Sequence, residues 1–444
     1  MMFSSFSFIK GYINGKLGKR MSREQLLAKQ SRLFKVLKKE VLKKTEFYKA
    51  LACDENSALE SFPVLDKKAL LQNFKAINTL GLTRVQCEQH AEKAERSRDF
   101  SKPLRGVSVG LSSGTSGQRG IFLTKPNEQA EWAGYIIAKN LPFRLKPQRV
   151  ALLLRSNNGL YEASRGLFVR YRFFDLLAPF EDIVQALEAY QPDVLIAPAQ
   201  LLGQIAERKI TISPSKIISV AEVLEEDVRE CIEQEYKLRV DEIYQCTEGY
   251  IASTCSHGHL HLNEDILVIE KSWLDKDSGR FMPIVTDLRR SSLPIVRFKL
   301  DDILQLDHKP CACGSSMLRL AKIEGRNDDS LWLLSADGWQ RLFPDVIRRA
   351  IMMCSKNYND YRIEQWQACW HVAVDCDDFD SAQASIRQAI EELAASYSCE
   401  PPKIVFKQGI HQSMMQKCRR LACKERPQEE AKNACEFCLE TDIT

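Results

Sequence analysis

Long apolar runs are missing from these 444 residues. No stretch reaches the roughly 18 residues that a membrane-spanning helix needs, so no transmembrane segment is expected. A dominant charge is missing as well. Lys and Arg number 63 against 59 Asp and Glu, for a formal net charge of +4, and the basic residues are mixed with acids. A nucleic-acid partner would call for a concentrated basic stripe, so that class is set aside. The 15 cysteines are odd in number and follow no regular framework. In a chain this long that excludes a disulfide scaffold and implies a reducing, cytoplasmic compartment. The opening segment MMFSSFSFIKGYINGKLGKR has an apolar cluster, but its lysines follow the cluster and no convincing cleavage site is present. It does not read as a secretory signal, while a basic amphipathic segment on a membrane surface stays compatible with it. Internal repeats are absent, and nothing bears on oligomeric state.

What is there is the composition of a soluble globular protein, 44% apolar and 27% charged. The length exceeds what one hydrophobic core supports, so two or more domains are expected. SREQ (22–25) fits a capping box, and Leu26, Leu33, Leu37 and Val41 recur at helical spacing, which predicts a long helix running to near TEFYKAL. FPVLDKKALLQNF reads as a loop entering a helix. The middle of the chain alternates: RVALLLRS is a compact apolar run, and DVLIAPAQLLGQIAERK and KIISVAEVLEEDVRECIEQEY each pass from strand to helix. Such units predict a parallel sheet covered on both faces, with ligands at the carboxyl ends of its strands. VDEIYQCTEG (240–249) has that form, a strand entering a polar turn. After about residue 327 the pattern becomes a compact α+β module: helix LFPDVIRRAIMM, strand QWQACWHVAVDC, helix SAQASIRQAIEELAASY and strand PKIVFKQ. The fold class expected is α/β, a large domain over 1–327 and a small α+β domain over 328–444 that ends in a loosely held tail.

SSGTSGQRG (112–120) is dense in hydroxyls and glycines. It suits a flexible loop, and equally a phosphate cradle in which backbone N–H groups and hydroxyls grip phosphoryl oxygens. It lacks the Lys-Ser or Lys-Thr of a Walker loop, because Gln118 and Arg119 stand there. Three later stretches join it in order: IYQCTEGY, LPIVRFKLDDI and IEGRNDDSLWL. Together they resemble the adenylate-forming superfamily of acyl-CoA ligases, and within it the phenylacetate-CoA ligase and coenzyme F-type synthetase branch. EFYKAL…FPVLDKKAL and CACGSSMLRLAKIEGRNDD resemble further parts of that branch, so the likeness covers nearly the whole chain.

The resemblance implies roles at these positions. Ser112, Ser113, Gly114, Thr115, Ser116 and Gly117 would wrap the β- and γ-phosphates of ATP. Many relatives have a lysine soon after this loop's second glycine; Gln118 replaces it, and Arg119 is the candidate for the charge. Tyr244 would stack on adenine, Thr247 would bond near the α-phosphate, and Glu248 would hold Mg²⁺, an ion that prefers one or two carboxylates plus phosphate oxygens. Asp302 would accept both ribose hydroxyls, with Asp301 its alternative. Arg326 would approach the nucleotide, and Asp328 would be the hinge of a mobile C-terminal lid. In MMQKCRRL, Lys417 takes the place of the catalytic lysine before a basic pair, with Gln416 where relatives have glycine. A point charge there would stabilise negative charge developing between acyl oxygen and phosphate. Read without the likeness, these are ordinary surface and core residues.

CSHGHLH (255–261) and CAC (311–313) flank the ribose segment. Cys255, His261, Cys311 and Cys313 would make a Cys₃His set, which zinc accepts in closed tetrahedral structural sites; His257 or His259 could replace His261. Free thiols beside a polar histidine loop are the alternative. Cys418, Cys423, Cys435 and Cys438 receive no assignment.

The expected activity is ATP-dependent adenylation of a carboxylic acid, followed by transfer to coenzyme A or another thiol. The branch tips the acid toward an aromatic one, and Tyr161 and Phe168 in the expected acid pocket are compatible with it. Two rivals stand beside it: a nucleotidyl transferase that leaves AMP on a hydroxyl, and a non-catalytic nucleotide-binding homologue.

Overall fold

The computed structural model describes residues 2–51, 56–112, 119–142, 144, 146–156, 169–354, 358–410 and 419–427. They form two compact units: Met1–Leu300 with Gln305–Lys322, and Asp301–Leu304 with Ile323–Thr444.

In the large unit a hairpin of β1 (Ser108–Leu111) and β2 (Ile121–Thr124) precedes the main sheet. The parallel half is built from β3 (Gln148–Leu154), β4 (Val169–Asp175), β5 (Val194–Pro198), β6 (Lys216–Val220) and β7 (Val240–Cys246). Helices Phe180–Tyr190, Ala199–Glu207 and Glu226–Tyr236 connect the strands from β4 to β7. Leu153, Leu195, Ile217 and Val240 on the strands pack with Leu187, Leu202, Ile205 and Ile232 on those helices. All eight are buried, which is why these strands read as apolar runs and the helices as one-sided.

The other half is not parallel. It comprises β8 (Gly249–Thr254), β9 (Leu260–Leu262), β10 (Leu267–Asp275), β11 (Arg280–Asp287), β12 (Phe298–Lys299), β13 (Asp302–Asp307) and β14 (Arg319–Arg326). The order is β10-β11-β13-β14-β9-β8-β7-β6-β5-β3-β4, with β12 beside β11. β7–β8, β8–β9, β9–β14 and β10–β11 are antiparallel pairs. Short turns such as Thr247–Glu248 join several of these strands directly, so no helix is needed to bring the chain back.

The amino-terminal segment corrects one expectation. The capping box is present, Ser22 Oγ accepting from Gln25 N, but the helix it starts stops at Glu40, and Thr45 caps a separate helix, Glu46–Ala50. Before it lies α1 (Met2–Gly18), then α2 (Arg23–Glu40). α1 packs along the helix Pro126–Asn140 through glycines. A Cβ at Gly11 would lie 1.9 Å from the Glu131 carbonyl oxygen, and one at Gly134 2.0 Å from that of Phe8. No helix among the described residues is long and apolar enough to cross a membrane.

The small unit holds the hairpin β15 (Leu331–Ser335) and β16 (Gly338–Leu342), and strands β17 (Asp360–Trp366), β18 (Cys369–Asp375), β19 (Lys403–Gln408) and β20 (Leu421–Glu425), ordered β19-β18-β17-β20. Helices Pro344–Met353 and Phe379–Ser396 stand where their sequence patterns put them. Trp370, Ile363, Ile386 and Ile390 centre its core. The stretch read as one strand, QWQACWHVAVDC, contains a reversal: Gln367 has φ +49° and turns β17 into β18.

Candidate functional site

The hydroxyl-rich loop is the connection of the β1–β2 hairpin. Its base is fastened both ways, since Ser112 N donates to the Gly120 carbonyl at 2.8 Å and Gly120 N donates to Ser112 Oγ at 2.7 Å. Ser113, Gly114, Thr115, Ser116, Gly117 and Gln118 lie outside the described residues. Arg119 is committed elsewhere than to a phosphate. It forms a two-pronged ion pair with Glu95 at 2.6 and 2.7 Å, and its Nε donates to the Ser112 carbonyl at 2.6 Å. It braces the loop's base.

The turn after β7 meets that base. A Cβ placed on Gly120 would lie 3.0 Å from Thr247 Oγ1 and 3.4 Å from Ser112 Oγ, so the two hydroxyls converge on this glycine. Glu248 is half-buried beside Thr247, and Tyr244 is half-buried on β7 opposite Ala252. Arg290 Nη1 donates to the Thr247 carbonyl at 2.6 Å. Asp287 in turn accepts from the backbone N–H groups of Arg289 and Arg290 at 2.8 and 3.1 Å. Burial raises the Asp287 carboxyl above its ordinary range, against the pull of Arg290. This support, Asp287 to Arg290 to Thr247, was not read from sequence; a Thr-Asp-Leu-Arg-Arg string at a strand end was its only trace.

The small unit gathers a second group. Asp302 begins β13 and is half-buried. Its neighbour Asp301 is exposed, 3.6 Å from Arg326 Nη2, while its carbonyl accepts from Asn327 N. Arg326 Nε also stands 3.5 Å from Asp328. Asp328 and Asp329 are both bridged by Arg419, at 2.8 Å for Asp328, and Asp329 takes the Arg326 N–H at 2.9 Å. Burial opposes the charge on Arg419, but the Asp329 and Asp328 carboxylates outweigh it and hold the guanidinium above its ordinary value. The other half of the basic pair, Arg420, bonds Asp360 at 2.9 Å. Lys417 lies outside the described residues, two positions before Arg419.

The cysteine cluster could hold a metal ion. Cys255 sits in the turn after β8, His261 on β9, and Cys311 and Cys313 on the loop between β13 and β14. Their ligand atoms all lie within 4.8 Å of one another. Cys255 Sγ is 3.8 Å from Cys311 Sγ, and Cys313 Sγ is 3.5 Å from His261 Nε2. A tetrahedron with Zn–S near 2.3 Å and Zn–N near 2.0 Å places sulfur–sulfur pairs at about 3.8 Å and sulfur–nitrogen pairs at about 3.5 Å. His261 Nδ1 lies 2.9 Å from the Met317 carbonyl, the outer contact that fixes a ligating imidazole. His257 and His259 are not in the cluster. Burial works against ionisation of Cys255, yet hydrogen bonds from His261, from the backbone at 259 and 257, and from Cys311 bring its thiol down to about 5. Burial pushes Cys313 up, to about 11.

No protein-family model matches the chain. Phenylacetate-coenzyme A ligase of Thermus thermophilus is 23% identical over 290 residues, 60% of this chain and 64% of the relative, so less than two thirds of its length is spanned. A 2-hydroxyisobutyryl-CoA ligase in the postadenylation state, complexed with 2-HIB-AMP, superposes with a TM-score of 0.67 at 16% identity, covering 92% of this chain and 91% of that one. The same ligase in the thioesterification state, with 2-HIB-AMP and CoA, gives 0.52 at 17% identity over 92% and 91%. The chain thus has the fold of the adenylate-forming CoA ligases.

Proposed function

We propose that this chain is an ATP-dependent acid–thiol ligase. A carboxylate oxygen attacks the α-phosphorus of ATP, the bond to the bridging oxygen breaks, and pyrophosphate leaves. The sulfur of coenzyme A then attacks the acyl carbon, and AMP departs with the bonding electron pair. The likeness over 92% of the chain to a ligase solved with its acyl-adenylate carries this reading.

The convergence of Ser112, Gly120 and Thr247 supports a phosphate site at the loop's base. Ser112 with Ser113, Gly114, Thr115, Ser116 and Gly117, which lie outside the described residues, would grip the β- and γ-phosphates, and Thr247 would donate to the α-phosphate. Glu248 would hold Mg²⁺, which would supply neutralisation of phosphate charge. Tyr244 stacks on adenine, Asp302 accepts the ribose hydroxyls, and Arg326 approaches the nucleotide. Lys417 supplies positive charge to the reacting oxygens, and Asp328 is the hinge between the half-reactions. Reactions of this kind rest mainly on positioning and charge neutralisation, which such a set of residues can supply. The phenylacetate-coenzyme A ligase likeness favours an aromatic acid. Cys255, His261, Cys311 and Cys313 hold a structural zinc, because four protein ligands leave no open position for catalysis. The scattered thiols support a reducing cytoplasm.

The test is acid-dependent exchange of labelled pyrophosphate into ATP across aryl and fatty acids. One acid should stimulate exchange, and Lys417→Ala should lower it by about 10²–10³-fold, the effect of removing one transition-state donor. No exchange with any acid, in protein that binds ATP, would overturn acid adenylation. An AMP adduct stable to thiol would assign the nucleotide to a hydroxyl instead.

A further inference from the structure

The first helix is built inside out. On α1 the side turned to the protein is small: Gly11, Gly15 and Gly18 face Glu131, Ala138 and Asp265, and a Cβ at any of them would come within 1.9 to 2.8 Å of those residues. Phe8 and Tyr12 are half-buried beside these glycines, whereas four other large apolar residues point the other way. Phe6, Ile9, Ile13 and Leu17 recur every three or four residues, hence along one face, and are 72%, 55%, 51% and 52% exposed. A helix docked by its apolar face would show the reverse pattern.

The charge around this stripe has one sign. The first 23 residues carry Lys10, Lys16, Lys19, Arg20 and Arg23 and no acid; Glu24 is the first. At 100° per residue, Lys10 falls on one flank of the stripe and Lys16 on the other, and exposed Arg20 continues it past the helix end. Part of this charge has internal work. Lys19 donates to the Lys139 carbonyl, Arg23 pairs with Glu264, and Lys10 reaches Glu131 at 3.4 Å while staying half exposed. Lys16 and Arg20 have no carboxylate partner among the described residues.

We infer that α1 docks the protein on an anionic bilayer surface, with Phe6, Ile9, Ile13 and Leu17 entering the interface and Lys10, Lys16 and Arg20 meeting lipid headgroups. The side of α1 opposite this stripe is glycine with half-buried Phe8 and Tyr12 rather than charged, so the docking rests on the exposed stripe itself and on the long basic side chains beside it, whose stems add to the apolar contact. A second copy of the chain is the poorer occupant. Symmetric pairing along α1 would set the lysines of one copy against those of the other. The stripe also exposes only on the order of 400 Å², about half of what each partner buries in a standard interface. A single shallow helix gives reversible binding that depends on the charge of the lipid.

The full chain would be sedimented with phosphatidylcholine vesicles, with and without phosphatidylserine. Binding to the serine-containing vesicles should be at least about tenfold tighter, and should fall as salt screens the headgroups. Ile9→Asn with Ile13→Asn should reduce it by about tenfold or more, and Lys16→Glu with Arg20→Glu should remove the preference for the anionic lipid. All four side chains reach solvent, so unchanged circular dichroism and melting temperature would separate lost binding from lost folding. Equal affinity for both vesicles, or anionic binding untouched by the Asn variants, would overturn the inference. So would absence of vesicle binding with a concentration-dependent dimer that the Asn variants abolish, which would assign the stripe to a second copy.

Discussion

Replacing Gly120 with alanine perturbs the proposed phosphate site with a single methyl group. The new Cβ would stand 3.0 Å from Thr247 Oγ1, where ordinary contact begins at 3.4 Å. The Thr247 hydroxyl or the hairpin base must therefore yield by about 0.4 Å. The Ser112–Gly120 hydrogen bonds resist movement of the base, and the Arg290 bond to the Thr247 carbonyl resists movement of the turn. A misplacement of about 1 Å at a reacting group costs up to about 10²-fold in rate, so 0.4 Å translates to about sixfold in pyrophosphate exchange. Stability should change little, by about 1 kcal/mol or less, because the lost freedom of the unfolded chain offsets a contact this mild. The decisive assay is a double-mutant cycle. Thr247→Ala removes the atom that the methyl group meets, so Gly120→Ala added to it should change exchange by less than about twofold. The same sixfold loss in both backgrounds, or no loss in either, would refute the placement of Thr247 beside this loop.

Purified protein should carry zinc, and its removal by a chelator should lower the melting temperature by several degrees, as should Cys311→Ser. Acidification should release the metal, because protons compete for the thiolate and imidazole ligands; a metal-free protein with an unchanged melting curve would dismiss the site. Arg419→Ala should cost about 3 kcal/mol in urea denaturation, because it strips the buried Asp329 of its closest cation and leaves Arg348 at 3.7 Å as the remaining one. A loss below about 1 kcal/mol would mean that the pair is solvated. Gly134→Ala should destabilise the chain by about 3 kcal/mol or more in the same assay, since its methyl group would meet backbone rather than a movable side chain. A near-neutral result would mean that α1 is not held along that helix.

Some of this protein was legible from local pattern alone. Ser22 and Gln25 form their capping box because the two bonds close within four residues. The βα units from β5 to β7 read as strand and helix because both faces of the sheet are covered, leaving unbroken apolar strands. The candidate strings were also visible in line, since a tight turn such as Thr247–Glu248 keeps its residues adjacent in sequence. Other features depend on partners far along the chain. Of three nearby histidines, His261 enters the cysteine cluster because β9 pairs with β14, setting His261 opposite Arg319 and its Nδ1 against Met317. Arg119 looked like a phosphate ligand until Glu95 claimed it, and Arg419 was one of two adjacent arginines until Asp328 and Asp329 distinguished it. The stretch QWQACWHVAVDC (365–376) reads as one strand because Gln367 carries no turn signature; pairing of Asp360–Trp366 with Cys369–Asp375 makes the reversal. α1 shows the limit most plainly. Its sequence marks an apolar cluster followed by lysines, but which residues turn inward was decided by Gly134, more than a hundred residues away, whose bare backbone admits the glycines of α1 closely. Short-range hydrogen bonds and turn chemistry are written in neighbouring residues, whereas long-range pairing is settled only when the whole chain has packed.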